Sequence, residues 1–486
     1  LKQAAKLANI IIVLGIALAV AALAYLLYRQ SQGIINSPML YAIPGGIIVL
    51  LAAVLALPPM FKINIALSLV SLGLMLYALE AYLMIFGNPL DYRTERYVTI
   101  RNSGGSFDTR LPLDVTMDLR RAGEDAYLYV PPSLFTLEPQ YSNGEPIFVM
   151  GGISDVTTVH CNEGGEYLVY ESDRYGFHNP SDIWEQPAID ILALGDSFTQ
   201  GACVPSDKNF VGRIREAYPN TLSLGASGNG PLSTLGTLRE YGAAKQPKTV
   251  IWFYFEGNDM GDLMGERSND VLTSYLDPDF IQDLAQRQEE INELRKEPLE
   301  IEMAGALEAR SKVRWASWRL FEVRRLINLT REPFRYLPEP EQPANAPQTA
   351  VQPEATTTDA EELAPWVEPT PSEEALAPHI QEAIDLLPEI WGQAQEIIAT
   401  WDGELIIVYL PHYPRIDPSH EMHGDNFYRH HVLAKIAEEE LPLVDMVPIF
   451  VNHPDPMSLY PYGLFGHFSE AGYELVADEV LVFLER

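Results

Sequence analysis

An apolar run of strand length breaks abruptly into Gly-Asp-Ser in the segment Ile189-Asp190-Ile191-Leu192-Ala193-Leu194-Gly195-Asp196-Ser197-Phe198-Thr199-Gln200-Gly201. A serine there falls just past the C-terminal end of a parallel strand, where open α/β sheets place their sites. Gly195 and Gly201 let the backbone turn sharply and let a ligand approach the Ser197 hydroxyl. An ordinary strand followed by an Asp-Ser helix cap gives the same local pattern. The turn therefore needs support from the rest of the chain.

Three further segments supply it. Asn220-Thr221-Leu222-Ser223-Leu224-Gly225-Ala226-Ser227-Gly228-Asn229-Gly230 is a short strand running into a glycine-rich turn. Thr249-Val250-Ile251-Trp252-Phe253-Tyr254-Phe255-Glu256-Gly257-Asn258-Asp259 is another strand, ending in Gly-Asn-Asp. His467 lies in Gly466-His467-Phe468-Ser469-Glu470-Ala471-Gly472-Tyr473, directly before an amphipathic closing helix. In combination these blocks resemble the SGNH (GDSL-type) hydrolase family, whose four blocks contribute Ser, Gly, Asn and His in this order. The resemblance covers residues 185–260 and 400–486.

The resemblance implies a flavodoxin-like α/β domain, a parallel sheet flanked by helices, that acts on ester-linked acyl groups without a cofactor or metal. Ser197 would be the nucleophile and its N–H one oxyanion donor. The Gly228 N–H and the Asn258 side-chain amide would be the others. His467 would serve as general base and then as acid for the leaving alcohol. The chemistry needs these residue types. A serine hydroxyl is a poor nucleophile until a base within hydrogen-bond reach takes its proton. The developing oxyanion needs fixed donors, each worth about 10²–10³ in rate.

The chain departs from the family pattern twice. Glu256 stands where the third block carries glycine, and Gly257 follows one place later. The family's acid lies three residues before the histidine, a position held here by Leu464. His467 thus lacks a carboxylate at the usual offset to fix its tautomer. Either a backbone carbonyl orients a Ser–His dyad, or an acid comes from elsewhere, with Asp455 the nearest upstream candidate. Asp196 and Asp259 are the other supporting candidates. A non-catalytic scaffold or glycan-binding subunit that keeps the fold is the rival reading.

Three apolar runs, residues 8–28, 39–60 and 63–87, each approach the ~20 residues that a bilayer-spanning helix needs. Continuous apolar character without a polar face argues against core helices. The first run is too long for a signal peptide's apolar region and has no small-residue cleavage site. Lys2, Lys6 and Lys62 flank one side and Arg29 alone the other. This bias places the N-terminus in the cytoplasm and residues from 88 onward outside. Glu80, near the outer end of the third run, is expected to reach the interface.

Residues 1–87 carry Lys2, Lys6, Arg29 and Lys62 against Glu80, a net of +3, so of the chain's −34 the remainder carries −37. Such acidity excludes nucleic-acid phosphate as a partner. The two cysteines, Cys161 and Cys203, both lie on the proposed outer side and are expected to pair. His412, His420, His423, His430 and His431 read as a solvated loop and helix face.

The expected organisation is a three-helix transmembrane anchor over 1–87, a β-rich collar over 88–185 and an SGNH-like domain over 186–486. That domain carries a helical insertion at 262–337 and a disordered acidic, Pro-rich loop at 338–375. The insertion's basic, aromatic stretch 313–329 suits either a membrane surface or a core helix. The reading is a multi-pass, membrane-anchored extracytoplasmic esterase or O-acyltransferase. Its expected partners are the lipid bilayer and an acyl-ester or glycan substrate, with room for a membrane-protein partner.

Overall fold

The computed structural model describes residues 1–31, 39–86, 92–135, 140–142, 144–313, 323, 376–417 and 428–486. The acidic Pro-rich loop, His420, His423 and all of 313–329 except Val313 and Val323 lie outside the described residues. The chain divides into two compact units, residues 1–95 with 310–346, and residues 96–309 with 347–486.

The first unit is built on α1 (Lys2–Ser31), α2 (Met39–Val54) and α3 (Pro59–Phe86). Helix α1 packs on both α2 and α3, and Gly15 lets Leu51 of α2 come close. Most other apolar side chains stay exposed, among them Leu14, Leu18 and Leu74. Two of the three expected spans are long and apolar enough to cross a membrane, within α1 and α3. Helix α2 has 16 residues, about 24 Å at 1.5 Å per residue, against a hydrocarbon core of about 30 Å. The apolar run continues to residue 60, but the chain turns before Pro58-Pro59, and Pro58 has no N–H for the Val54 carbonyl and crowds it, which disfavours extending the helix past Val54. Glu80, expected at the interface, is engaged within its own unit. It is 3% exposed, and its Oε2 accepts the Val323 N–H at 2.9 Å.

The second unit opens with α4 (Tyr92–Asn102), whose first residues belong to the other unit, and α5 (Pro112–Ala122). Neither helix was anticipated in a region read as mostly β. Helix α5 has Pro112 at its first position, the Asp114 carboxylate on the Leu111 N–H and left-handed Gly123 at its end. A small mixed sheet follows, formed by β1 (Ala126–Leu128), β4 (Thr157–Val159) and β5 (Val169–Glu171). A separate hairpin pairs β2 (Gln140–Ser142) with β3 (Glu145–Ile147). The insertion helix Gln288–Val313 covers this sheet through Leu299 and Met303, and its buried Arg295 donates to the Val130 and Val149 carbonyls.

The main sheet has five strands, β6 (Ile191–Leu194), β7 (Thr221–Ser223), β8 (Thr249–Phe255), β9 (Glu404–Leu410) and β10 (Leu443–Asp445). They lie in the order β10-β9-β8-β6-β7 and all pair in parallel. Counted along this sheet alone, that is the 2-1-3-4-5 order of flavodoxin-like folds. Strand β6 is apolar throughout, and β8 and β9 are apolar after their first residues, Thr249 and Glu404, because both faces are covered. Leu192, Leu194, Val250, Trp252 and Ile407 point to one core, with helix Pro378–Ala399. Ile191, Ala193, Ile251, Phe253 and Val408 point to the other, with the closing helix Glu470–Leu484. The order reverses between β6 and β8, so the crevice for a ligand opens at their C-terminal ends.

Candidate active site

Strand β6 ends at Leu194, and the chain turns through Gly195 and Asp196 into the single-turn α6 (Ser197–Gln200). Asp196 caps this turn, its Oδ1 accepting the Phe198 N–H at 2.9 Å, and left-handed Gly201 ends it. Ser197 therefore begins a helical turn at the switch point. Its hydroxyl lies 2.8 Å from His467 Nε2. His467 enters from the loop before the closing helix, whose cap is Ser469.

The carboxylate on the other side of the imidazole is Glu163. Its Oε1 lies 3.1 Å from His467 Nδ1, and its Oε2 accepts the His467 backbone N–H at 2.7 Å. A carboxylate only accepts, so the Nδ1 proton is fixed there and Nε2 is free to accept from Ser197. Burial pushes the Glu163 carboxyl up, but the charge and hydrogen bonds of His467, with Arg96 behind, hold it down at about 2. Burial alone would lower His467; Glu163 outweighs it and raises the imidazole above its ordinary 6.5.

Asp455, the nearest upstream candidate, makes no such contact. Its backbone carbonyl accepts from Ser458 and His453, and no hydrogen bond joins it to His467. Leu464 keeps its place in an extended link after Pro461-Tyr462-Gly463. Glu163 was missed because it lies 304 residues before His467, outside the four blocks. The usable signal was its position two residues beyond Cys161, the cysteine expected to bridge to the turn after Ser197.

That bridge is present. Cys161 and Cys203 form a disulfide with their Cα atoms 5.0 Å apart, and Cys203 Sγ lies 3.7 Å from His467 Nδ1. It fastens the loop carrying Glu163 to the segment leaving Ser197. A Cys161→Ser, Cys203→Ser double variant should lose up to roughly 4 kcal/mol, the loop-closure value for a 42-residue separation. Its kcat should fall as well, because the carboxylate is no longer held against His467. Urea unfolding and ester turnover on the same preparation check both; a full kcat in the unbridged protein would contradict the tethering role.

Gly228 sits in the turn that follows β7, in the left-handed region at φ +74°, close to Ser133, which a side chain at that position would strike. The turn before it is held from the β1–β5 region. The Ser227 N–H donates to Tyr129 Oη and to Gln200 Oε1, both at 3.0 Å, and His160 Nε2 lies 3.2 Å from Ser227 Oγ. Gln200 in turn donates to Tyr170 Oη. Asn258 stands just before the helix Asp259–Glu266, beyond the end of β8, the neighbour of β6, and its side chain makes no capping hydrogen bond to that helix. Burial raises the Asp196 carboxyl against hydrogen bonds from Phe198 and the Asn258 side chain. Asp259 accepts the Phe255 N–H at 3.1 Å, and burial together with Asp196 pushes it well up. Neither aspartate hydrogen-bonds His467.

Glu256, the residue in place of glycine, is a buried staple. It accepts from Tyr409 Oη at 3.0 Å, the His412 N–H at 2.8 Å and Arg415 at 2.6 and 2.7 Å. It thereby ties the end of β8 to the chain leaving β9. Among the described residues, two groups bring three potential metal donors within 4.8 Å, His160 with Cys161 and Cys203, and Glu163 with Cys203 and His467. Both need Cys203, whose sulfur is already bonded to Cys161.

Fold and site together define a parallel α/β unit carrying a Ser–His–Glu line at its switch point. Among known proteins, no family model matches the chain, and no curated protein matches it. Solved structures that resemble it weakly include two esterases. The acetyl xylan esterase AlAXEase shows 10% identity and a TM-score of 0.30, over 61% of this chain and 100% of that one. A two-domain esterase, CEX, active on acetylated mannans and crystallised with mannopentaose, shows 12% identity and a TM-score of 0.29. That match covers 61% of this chain, which spans about half (49%) of the esterase's length. At this level of similarity neither kinship nor activity transfers to the chain.

Proposed function

We propose that the second unit is a serine-dependent ester hydrolase or O-acyltransferase of the SGNH type. The observation that carries this is the continuous line Ser197 Oγ, His467 Nε2, His467 Nδ1, Glu163 Oε1, with links of 2.8 and 3.1 Å. Ser197 Oγ attacks the acyl carbonyl while its proton passes to Nε2. Glu163 stabilises the imidazolium so formed. The oxyanion is received by the N–H groups of Ser197 and Gly228 and by the Asn258 amide. Collapse expels the alcohol, which takes the proton back from Nε2. Water or a sugar hydroxyl, deprotonated by the same nitrogen, then releases the acyl group from Ser197.

Helices α1 and α3 would anchor the chain in a membrane, and α2 has to cross with them for the second unit to stand on the outer side, since two crossings return the chain to the side of its N-terminus. The disulfide supports that placement, since such bonds persist in oxidising compartments. An acyl ester of an envelope glycan or lipid is then the substrate within reach. The rival reading as a non-catalytic scaffold rested on the lack of a carboxylate at Leu464. Glu163 at His467 Nδ1 removes that support.

Pre-steady-state hydrolysis of 4-nitrophenyl acetate by the full chain tests the proposal. The expected trace is a burst of one nitrophenolate per chain followed by slower turnover. Release at the buffer rate, with no burst, would contradict it.

A further inference from the structure

We infer that Arg96 is a positioning residue of this site, a buried strut that holds the loop of Glu163 and the loop of His467 in register. The inference rests on the Ser–His–Glu reading above and assigns the line a fourth member. Arg96 belongs to α4, a helix that none of the four sequence blocks includes, and it is 1% exposed. Its Nη1 donates to the Glu163 carbonyl at 2.8 Å, and its Nη2 donates to the Phe465 carbonyl. The same Nη2 lies 3.7 Å from Glu163 Oε2. One guanidinium thus grips the backbone of the carboxylate's own residue and the backbone two residues before the histidine.

The neighbouring chain is shaped around it. A side chain on Gly466 would collide with both the Arg96 guanidinium and the Glu163 carboxylate, so only glycine allows the three to meet. Arginine suits the task because its planar fork reaches two acceptors at fixed angles and cannot lose its charge. A lysine offers one compact donor group and would hold one loop at a time.

The charge matters as well as the shape. The titratable and charged groups around the imidazole are Glu163 and His160 from the β4–β5 loop, Arg96 from α4 and Asp196 from the nucleophile turn. His160 is kept neutral, burial and its neighbours pushing it down to about 3. Glu163 and Asp196 raise His467, whereas Arg96 lowers it. The base must be neutral to act, so activity appears as pH rises through the His467 value. Removing Arg96 therefore moves that limb to higher pH, while removing the Glu163 charge moves it to lower pH. A merely structural role for Arg96 would give no such opposed pair.

The experiment compares Arg96→Met, Arg96→Lys and Glu163→Gln in the full-length protein. It records kcat and KM for 4-nitrophenyl acetate against pH, with thermal unfolding of each variant. Arg96→Met should lower kcat by about 10- to 100-fold, the range for losing an outer partner of a functional group, with KM unchanged. Its acid limb should shift upward, opposite to that of Glu163→Gln, and Arg96→Lys should recover part of kcat and return the limb. A folded Arg96→Met protein with normal kcat and an unmoved limb would overturn the inference. So would a limb that shifts the same way as in Glu163→Gln. Should Arg96→Met not fold, kcat of Arg96→Lys decides: a partial loss with the limb unmoved supports the strut, and full kcat counts against it. Loss of activity in the parent protein would instead bring down the Ser–His–Glu reading itself, which keeps the two failures apart.

Discussion

Ser197→Ala should lower kcat for a short acyl ester by about 10⁴-fold or more, the scale on which serine hydrolases fall when the nucleophile is removed. Ser197 sits on one turn of helix, capped by Asp196 and ended by Gly201, and its side chain bonds outward to His467 rather than into the core. The substitution removes a hydroxyl and leaves the turn intact, so the unfolding free energy should fall by only about 1 kcal/mol, the net worth of one hydrogen bond. His467→Ala should fall to a similar residual rate, and the double variant no further, because members of one catalytic unit are not additive. Steady-state rates with matched unfolding curves check all three. Appreciable turnover by Ser197→Ala would place the nucleophile elsewhere.

Glu163→Gln should lower kcat by about 10²–10⁴-fold, the upper figure being that of an amide in place of the triad acid. The amide keeps the volume but can donate to Nδ1, which lets the imidazole hold the tautomer that cannot accept from Ser197. The pH dependence carries a second signature. Burial works to lower His467, and the Glu163 carboxylate overrides it to raise the imidazole above 6.5. In the parent, activity is therefore lost as pH falls through that raised value. Without the carboxylate charge the imidazole stays neutral to lower pH, so the limb moves down while the plateau drops. Asp455→Asn should change neither quantity, since Asp455 makes no hydrogen bond to His467. Equal losses in Glu163→Gln and Asp455→Asn would contradict the placement of the acid.

What the sequence could show follows from how local each feature is. The strand-to-turn break at Leu194-Gly195-Asp196-Ser197 is written in consecutive residues, and so are the ends of β7 and β8. Their parallel pairing follows from strands buried on both faces. The disulfide was legible because two cysteines allow one pairing. Glu163 was not, because a carboxylate reaches His467 through three-dimensional closure of a loop far upstream. Arg96 was hidden for the same reason, on a helix whose segment reads as unremarkable and polar. Glu256 looked like a defect in a motif until its acceptors were occupied by Tyr409, His412 and Arg415. Glu80 looked like an interfacial residue because a span's sequence does not reveal which backbone N–H packs against it. The length of α2 was overestimated because apolar content continues through a turn that only Pro58-Pro59 betrays.

The central claim is that Ser197 is a nucleophile activated by His467. Labelling the full-length protein with a fluorophosphonate, followed by peptide mass analysis, tests it most directly, since such probes react with a serine only when a base has activated it. The account predicts one adduct per chain on the peptide bearing Ser197, slowed strongly in Glu163→Gln and absent in His467→Ala. A protein that takes no label, or takes it on another residue at the same rate in all three, would contradict it.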